Sequence, residues 1–180
     1  MRISPESEFK IEDLQNIIDN EKCGLMITGG EPTWDPHFEE CAYLLNNLKY
    51  EDANVETNGY NLEGLLKEIK SEHFNKIKFV FSPKMFNYEE AMKDINLAQR
   101  MKDIPNVVFK LVCTKTENLQ RYIQLFLDEL SEFNLNRRIY LMPEGRNREE
   151  ILMNAPVMFD YAERWKVNVS TRMHIMYDFI

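Results

Sequence analysis

Short apolar runs alternate with segments of helical period along almost the whole chain, and this alternation restricts the fold more than any single residue does. Residues 9–21 place Phe9, Ile11, Leu14, Ile17 and Ile18 at helical spacing. Gly24-Leu25-Met26-Ile27-Thr28 follows as a buried strand stopped by Gly29-Gly30. Phe38, Cys41, Leu44, Leu45 and Leu48 then mark one face of a helix, before a short strand around Asn54-Val55-Glu56 that ends at Asn58-Gly59. The unit recurs as a helix near 61–70, a strand at 76–81, a helix near 88–102 and a strand at 107–113. A helix near 116–134 follows, with Leu119, Ile123, Phe126 and Leu130 on one face, then a strand at 138–142, a helix near 147–165 and a last strand near 167–175. Strands alternating with helices predict an α/β fold with a parallel sheet and right-handed crossovers, either an open doubly wound sheet or an open, partial barrel.

At 180 residues and 44% hydrophobic, with no low-complexity linker or residue-level repeat, the chain is expected to be one domain with a substantial core. A net charge of -8 argues against a bare nucleic-acid partner, because phosphate contacts need clustered Lys and Arg. No apolar run approaches the ~20 residues that span a bilayer, and Met1-Arg2 is not followed by a signal-peptide segment, so the expected location is the cytoplasm. Cys23, Cys41 and Cys113 are odd in number and widely spaced, which suggests reduced thiols rather than a disulfide framework.

In parallel α/β folds ligands bind at the carboxyl ends of the strands. Those ends carry Thr28-Gly29-Gly30-Glu31-Pro32, Glu56-Thr57-Asn58-Gly59, Ser82-Pro83-Lys84 and Pro143-Glu144-Gly145-Arg146, which are expected on one rim. Each has a plain reading. Gly-Gly and Asn-Gly are ordinary turn chemistry, Glu31 and Glu56 fit solvated carboxylates or helix caps, and Lys84 fits a surface charge. Together they also suit a zwitterionic ligand with a nucleoside: Glu31 and Glu144 for an ammonium or ribose hydroxyls, Lys84 or Arg146 for a carboxylate. Other amino-acid-like or nucleotide ligands suit the same set.

Thr28-Gly29-Gly30-Glu31-Pro32 resembles the Gly-Gly-Glu-Pro motif of radical S-adenosylmethionine (SAM) enzymes. Glu56-Thr57-Asn58-Gly59, Ser82-Pro83-Lys84, Phe109-Lys110-Leu111-Val112, Leu141-Met142-Pro143-Glu144-Gly145-Arg146 and Arg172-Met173-His174 resemble, in order, signatures of the 7-carboxy-7-deazaguanine synthase family. The resemblance runs from about residue 12 to near the end. It implies a partial, open TIM-type barrel and a lyase that contracts 6-carboxy-5,6,7,8-tetrahydropterin to 7-carboxy-7-deazaguanine, on the route to queuosine and other 7-deazaguanines. The implied cofactors are SAM, a 4Fe-4S cluster and Mg²⁺. The resemblance assigns Gly29, Gly30, Glu31, Ser82, Pro83, Lys84, Met142, Pro143, Glu144 and Gly145 to SAM, with Glu31 near its amino group. It assigns Thr28, Glu56 and His174 to the pterin; the plain reading of His174 is a hydrogen-bonded histidine in the last strand.

The family carries its cluster on a Cys-x3-Cys-x2-Cys loop after its first strand, upstream of Gly-Gly-Glu-Pro, and three closely spaced thiolates leave one iron open for SAM. This sequence has no such loop. Cys23 is expected to begin a strand at the opposite rim, Cys41 to lie on an apolar helix face and Cys113 to end a strand on the ligand side, all three as structural, buried thiols. The first strand and its loop are expected to be absent as a unit, which leaves a parallel edge for a cluster-bearing partner chain or self-association to cover. The chain alone is then inactive, and the enzyme is completed by a separately supplied segment. A cluster-free SAM- or pterin-binding or regulatory domain is the alternative from another class. An activating enzyme for a glycyl-radical protein shares Gly-Gly-Glu-Pro but lacks the Ser-Pro-Lys and Met-Pro-Glu-Gly loops.

Overall fold

A computed structural model describes residues 10–35, 37–104 and 106–177. Met1, Arg2 and Phe9 of the sequence reading lie outside the described residues. The chain divides into two compact units, Met1–Phe79 and Val80–Ile180, with the division falling inside one strand.

The first unit contains α1 (Ile11–Glu21), β1 (Leu25–Ile27), α2 (His37–Asn47), β2 (Ala53–Thr57), α3 (Leu62–Glu68), α4 (Ser71–Phe74) and the start of β3 (Ile77–Phe81). Helix α1 stops at Lys22, which takes the left-handed conformation (φ 49°) and turns the chain into β1. Strands β1 and β2 pair in parallel, Leu25 opposite Ala53 and Ile27 opposite Val55. Leu45 of α2, Val55 of β2, Leu62 and Leu65 of α3 and Phe79 of β3 are all fully buried. The strand read as buried after α1 is not: β1 pairs with β2 at the end of the strand order, Leu25 and Ile27 are only partly buried and Met26 is exposed.

The second unit contains the end of β3, α5 (Tyr88–Arg100), β4 (Val107–Cys113), α6 (Glu117–Ser131), a 3₁₀ turn (Asn136–Arg138), β5 (Ile139–Pro143), α7 (Arg148–Trp165), β6 (Asn168–Val169) and α8 (Met173–Met176). Strand β5 pairs in parallel with β4, Phe109 opposite Ile139 and Cys113 opposite Pro143, and with β6, Leu141 opposite Val169. Phe109 packs edge-on between Phe81 and Phe126, with centroids 6.2 and 6.1 Å away. The Arg138 guanidinium lies 5.5 Å from the Phe109 centroid. It donates to the carbonyls of Val107 (2.7 Å), Lys102 (2.6 Å) and Met101 (3.3 Å), tying the entry of β4 to the end of α5.

All six strands belong to one open parallel sheet in the order β1-β2-β3-β4-β5-β6. The α/β class expected from the sequence is therefore observed. A doubly wound sheet needs a point where strand order reverses, and this order never does, so of the two expected windings the doubly wound one is not adopted. The expected last strand is shorter than its apolar pattern suggested: β6 ends at Val169, and Met173–Met176 forms a helical turn.

Candidate functional site

In the first unit, the loop after β1 turns on Gly29 and Gly30, whose φ of 88° and 57° lie in the left-handed region that a β-carbon disfavours. The turn brings Glu31 back against the end of β2. Glu31 Oε1 accepts from the Thr33 amide (3.1 Å), the Thr33 hydroxyl (2.7 Å) and the Thr57 hydroxyl (2.5 Å), while Oε2 accepts from the Asn58 amide (2.6 Å). The Thr57 hydroxyl also accepts from the Gly59 amide (2.9 Å) and that of Thr33 from the Asn61 amide (3.4 Å), which leaves both protons to point at the carboxylate. Glu31 thus buckles the Gly-Gly-Glu-Pro loop onto the Glu-Thr-Asn-Gly loop. Three donors occupy Oε1 and one occupies Oε2, so the remaining acceptor capacity for a cation is on Oε2. Thr28 is exposed, and its hydroxyl donates to Glu56 Oε2 at 3.5 Å.

In the second unit, a cleft of about 500 Å³ opens at the carboxyl ends of the strands. Ser82, Pro83 and Lys84 line it from the loop after β3, and Glu144, Gly145 and Arg146 from the loop after β5. The Ser82 hydroxyl donates to the Lys110 carbonyl at 3.2 Å, so toward a ligand it acts as an acceptor. Gly145 is a packing requirement: a β-carbon there would stand 2.6 Å from the Ile151 amide nitrogen and from its Cγ1. The same four-residue pattern, Asn-x-x-Glu, fixes both loops. Asn87 and Asn147 cap α5 and α7 by accepting from the amides of Glu90 and Glu150, both at 2.9 Å. Glu90 and Glu150 reach back to the amides of Phe86 (3.1 Å) and Arg146 (2.7 Å).

The cleft also contains Asn154, which the sequence reading passed over, and Arg172, which it quoted in a signature without giving it a role in the site. Arg172 donates to the Gly145 carbonyl at 3.0 Å, closing the wall beside Arg146. Asn154 of α7 accepts from the Lys115 amide (3.0 Å) and donates to the Glu144 carbonyl (2.9 Å), so one side chain locks the loops after β4 and β5. An asparagine inside a helix is a weak helix former whose amide competes for backbone partners, and that was the available sequence signal. Lys84, Arg146 and Arg172 stand against Glu144 and Glu150, and both Glu150 oxygens already accept bonds from Arg146 and Asn147. The cleft therefore favours a ligand with an anionic group.

Among the residues assigned to SAM, Ser82, Pro83, Lys84, Glu144 and Gly145 line this cleft, while Gly29, Gly30 and Glu31 belong to the buckle of the first unit. Met142 and Pro143 are buried in β5 and are not among the cleft-lining residues. His174 is exposed on α8 rather than hydrogen-bonded in a strand, because the chain has already left the sheet there.

The cysteines do not suit an iron-sulfur cluster. Burial pushes the Cys41 thiol up to about 12, with a smaller push from the Glu31 carboxylate, and burial pushes the Cys113 thiol up to about 12 as well. A cluster is held by thiolates, and these two sites oppose thiolate formation. Cys23 is exposed just before β1, not buried as expected, because the chain leaves α1 in a left-handed turn at the surface. Among the described residues, no group of three or more His, Cys, Asp or Glu side chains could hold a metal ion, and no helix is long and apolar enough to cross a membrane. No protein-family model, no curated protein and no solved structure matches the chain.

Proposed function

We propose that the chain binds SAM and is the cofactor- and substrate-binding part of a protein resembling 7-carboxy-7-deazaguanine synthase, its cluster being supplied by a separate segment or partner chain. The observation that carries this reading is the cleft of the second unit, where Ser-Pro-Lys and Glu-Gly-Arg converge on about 500 Å³, a volume suited to a ligand of nucleoside size. In this reading Lys84 and Arg146 meet the carboxylate and Glu144 the ribose hydroxyls, while Glu31 is assigned to the amino group on the resemblance alone. Bound SAM supplies the adenosyl group that radical chemistry uses in the family resembled. The chain's own residues bind and orient it. Thr28, Glu56 and His174 are assigned to the pterin on the resemblance alone. An open, partial barrel is the matching fold proposal. It is supported by the unreversed strand order and by β2 and β4, each fully buried on one face and half-exposed on the other.

A cluster-free SAM- or pterin-binding domain is the second reading, favoured by the two buried, high-pKa thiols. Anaerobic reconstitution with iron, sulfide and a separately expressed Cys-x3-Cys-x2-Cys segment separates the two. The first reading expects cluster absorbance, SAM cleavage and conversion of 6-carboxy-5,6,7,8-tetrahydropterin. SAM binding with no cluster assembled would establish the second, and a cluster that cleaves SAM but leaves the pterin intact would reject the synthase assignment.

A further inference from the structure

The Phe86 ring stands at the wall of the second-unit cleft, 71% exposed, while its neighbour Met85 is 2% exposed. A phenyl ring left in water forgoes one of the larger burial gains open to a side chain. Single exposed apolar residues are common, so exposure alone says little. Here, however, the backbone is built to hold the ring out.

Met85 takes φ 46°, a left-handed conformation that residues with a β-carbon rarely adopt. Three consecutive amides hold the turn: Lys84 and Met85 donate to Asp94 Oδ2 at 3.1 and 3.4 Å, and Phe86 donates to Glu90 Oε2 at 3.1 Å. The turn buries Met85 as a plug and presents the next side chain to the open side. Around that ring the cleft offers the apolar Val112 and Leu119 together with Lys84, Arg146 and Arg172. An aromatic platform beside cations suits a flat heterocycle whose attached group is anionic.

We propose that Phe86 stacks on the purine ring of a nucleoside ligand in this cleft and selects such ligands over amino acids without a ring. The inference rests on the SAM reading of the cleft and adds a specificity residue to it.

Calorimetric titration of SAM and of adenosine into the wild-type chain and into Phe86→Ala, Phe86→Leu and Phe86→Trp tests it. Leucine keeps apolar area but removes the ring. The Ala and Leu variants are expected to bind both probes about tenfold more weakly, and Trp to match or exceed the wild type. Unchanged thermal unfolding of all three variants confirms that binding alone is read. Wild-type affinity in Phe86→Ala or Phe86→Leu would overturn the stacking role and leave the SAM reading standing. A wild-type chain that binds neither probe would overturn the SAM reading and this inference with it.

Discussion

Glu31 Oε1 accepts the Thr57 hydroxyl at 2.5 Å, a bond that ties the glycine turn after β1 to the last residue of β2. The Thr33 hydroxyl lies 2.9 Å from that of Thr57, which closes a triangle of three oxygens. With the carboxylate ionised the triangle holds two hydroxyl protons, and the backbone amides on Thr33 and Thr57 direct both to Glu31. Thr57→Val removes a donor to the carboxylate and the acceptor for the Gly59 amide. It is expected to lower stability by ~1–3 kcal/mol in urea unfolding. Thr57→Ser keeps both bonds and is expected to stay near the wild type. Equal loss in the two variants would mean that the methyl group, not the hydroxyl, matters at this site.

Gly145 faces the Ile151 backbone and side chain at 2.6 Å from its missing β-carbon. Gly145→Ala therefore has to push the loop after β5 away from α7, and the displaced element is backbone. A loss of ~1–3 kcal/mol is expected, together with weaker SAM binding, because Glu144 and Arg146 move with the loop. Denaturant unfolding alongside a SAM titration checks both. Unchanged binding in a destabilised variant would separate the loop's packing from ligand recognition.

Thiol chemistry should divide the three cysteines. Cys41 and Cys113 are buried with thiols pushed up to about 12, and Cys23 is exposed. Thiolate is the reactive form. In the folded protein a thiol reagent at mildly alkaline pH is expected to modify Cys23 alone, identified by mass mapping, and Cys23→Ser is expected to abolish the fast phase. Rapid modification of Cys113 would show that the end of β4 opens.

Asp94 sits half-buried under the Lys84–Phe86 turn, and desolvation raises its pKa above 3.8, partly offset by the amides of Met85 and Lys84. The folded protein thus retains this proton to higher pH than the unfolded chain does. The group's stabilising contribution is full below pH 3.8 and is lost as pH rises through the raised pKa. Asp94→Asn keeps an acceptor for both amides and removes the charge. Its stability relative to the wild type is expected to rise between strongly acidic and neutral pH in chemical unfolding. A pH-independent difference would contradict the desolvation of Asp94.

The strands from β1 to β5 were legible because each is a short apolar or alternating segment bounded by glycine, proline or polar residues, and β4 matches the expected 107–113 residue for residue. The end of the chain was not. Val167, Val169, Ile175 and their neighbours fit an apolar strand, yet the sheet offers β6 a ladder only beside Tyr140 and Leu141. Past Ser170, whose amide bonds to the Leu141 carbonyl, the chain turns into a helix. The winding was undecided because crossover direction leaves no periodicity in the sequence. At the site, the loop residues and Arg172 were legible as motifs, whereas Asn154 was not, and the carbonyl partners of both Asn154 and Arg172 are brought near them by folding alone. Phe86 went unnoticed because in sequence it is one more apolar residue before a helix.

SAM binding to the chain without iron or sulfide tests the proposal most directly. Titration calorimetry of the wild type, Lys84→Ala and Glu144→Ala is expected to give saturable binding at one site per chain, weakened in both variants while their unfolding midpoints stay unchanged. Absence of saturable binding, or affinity indifferent to both substitutions, would contradict the assignment of the cleft to SAM.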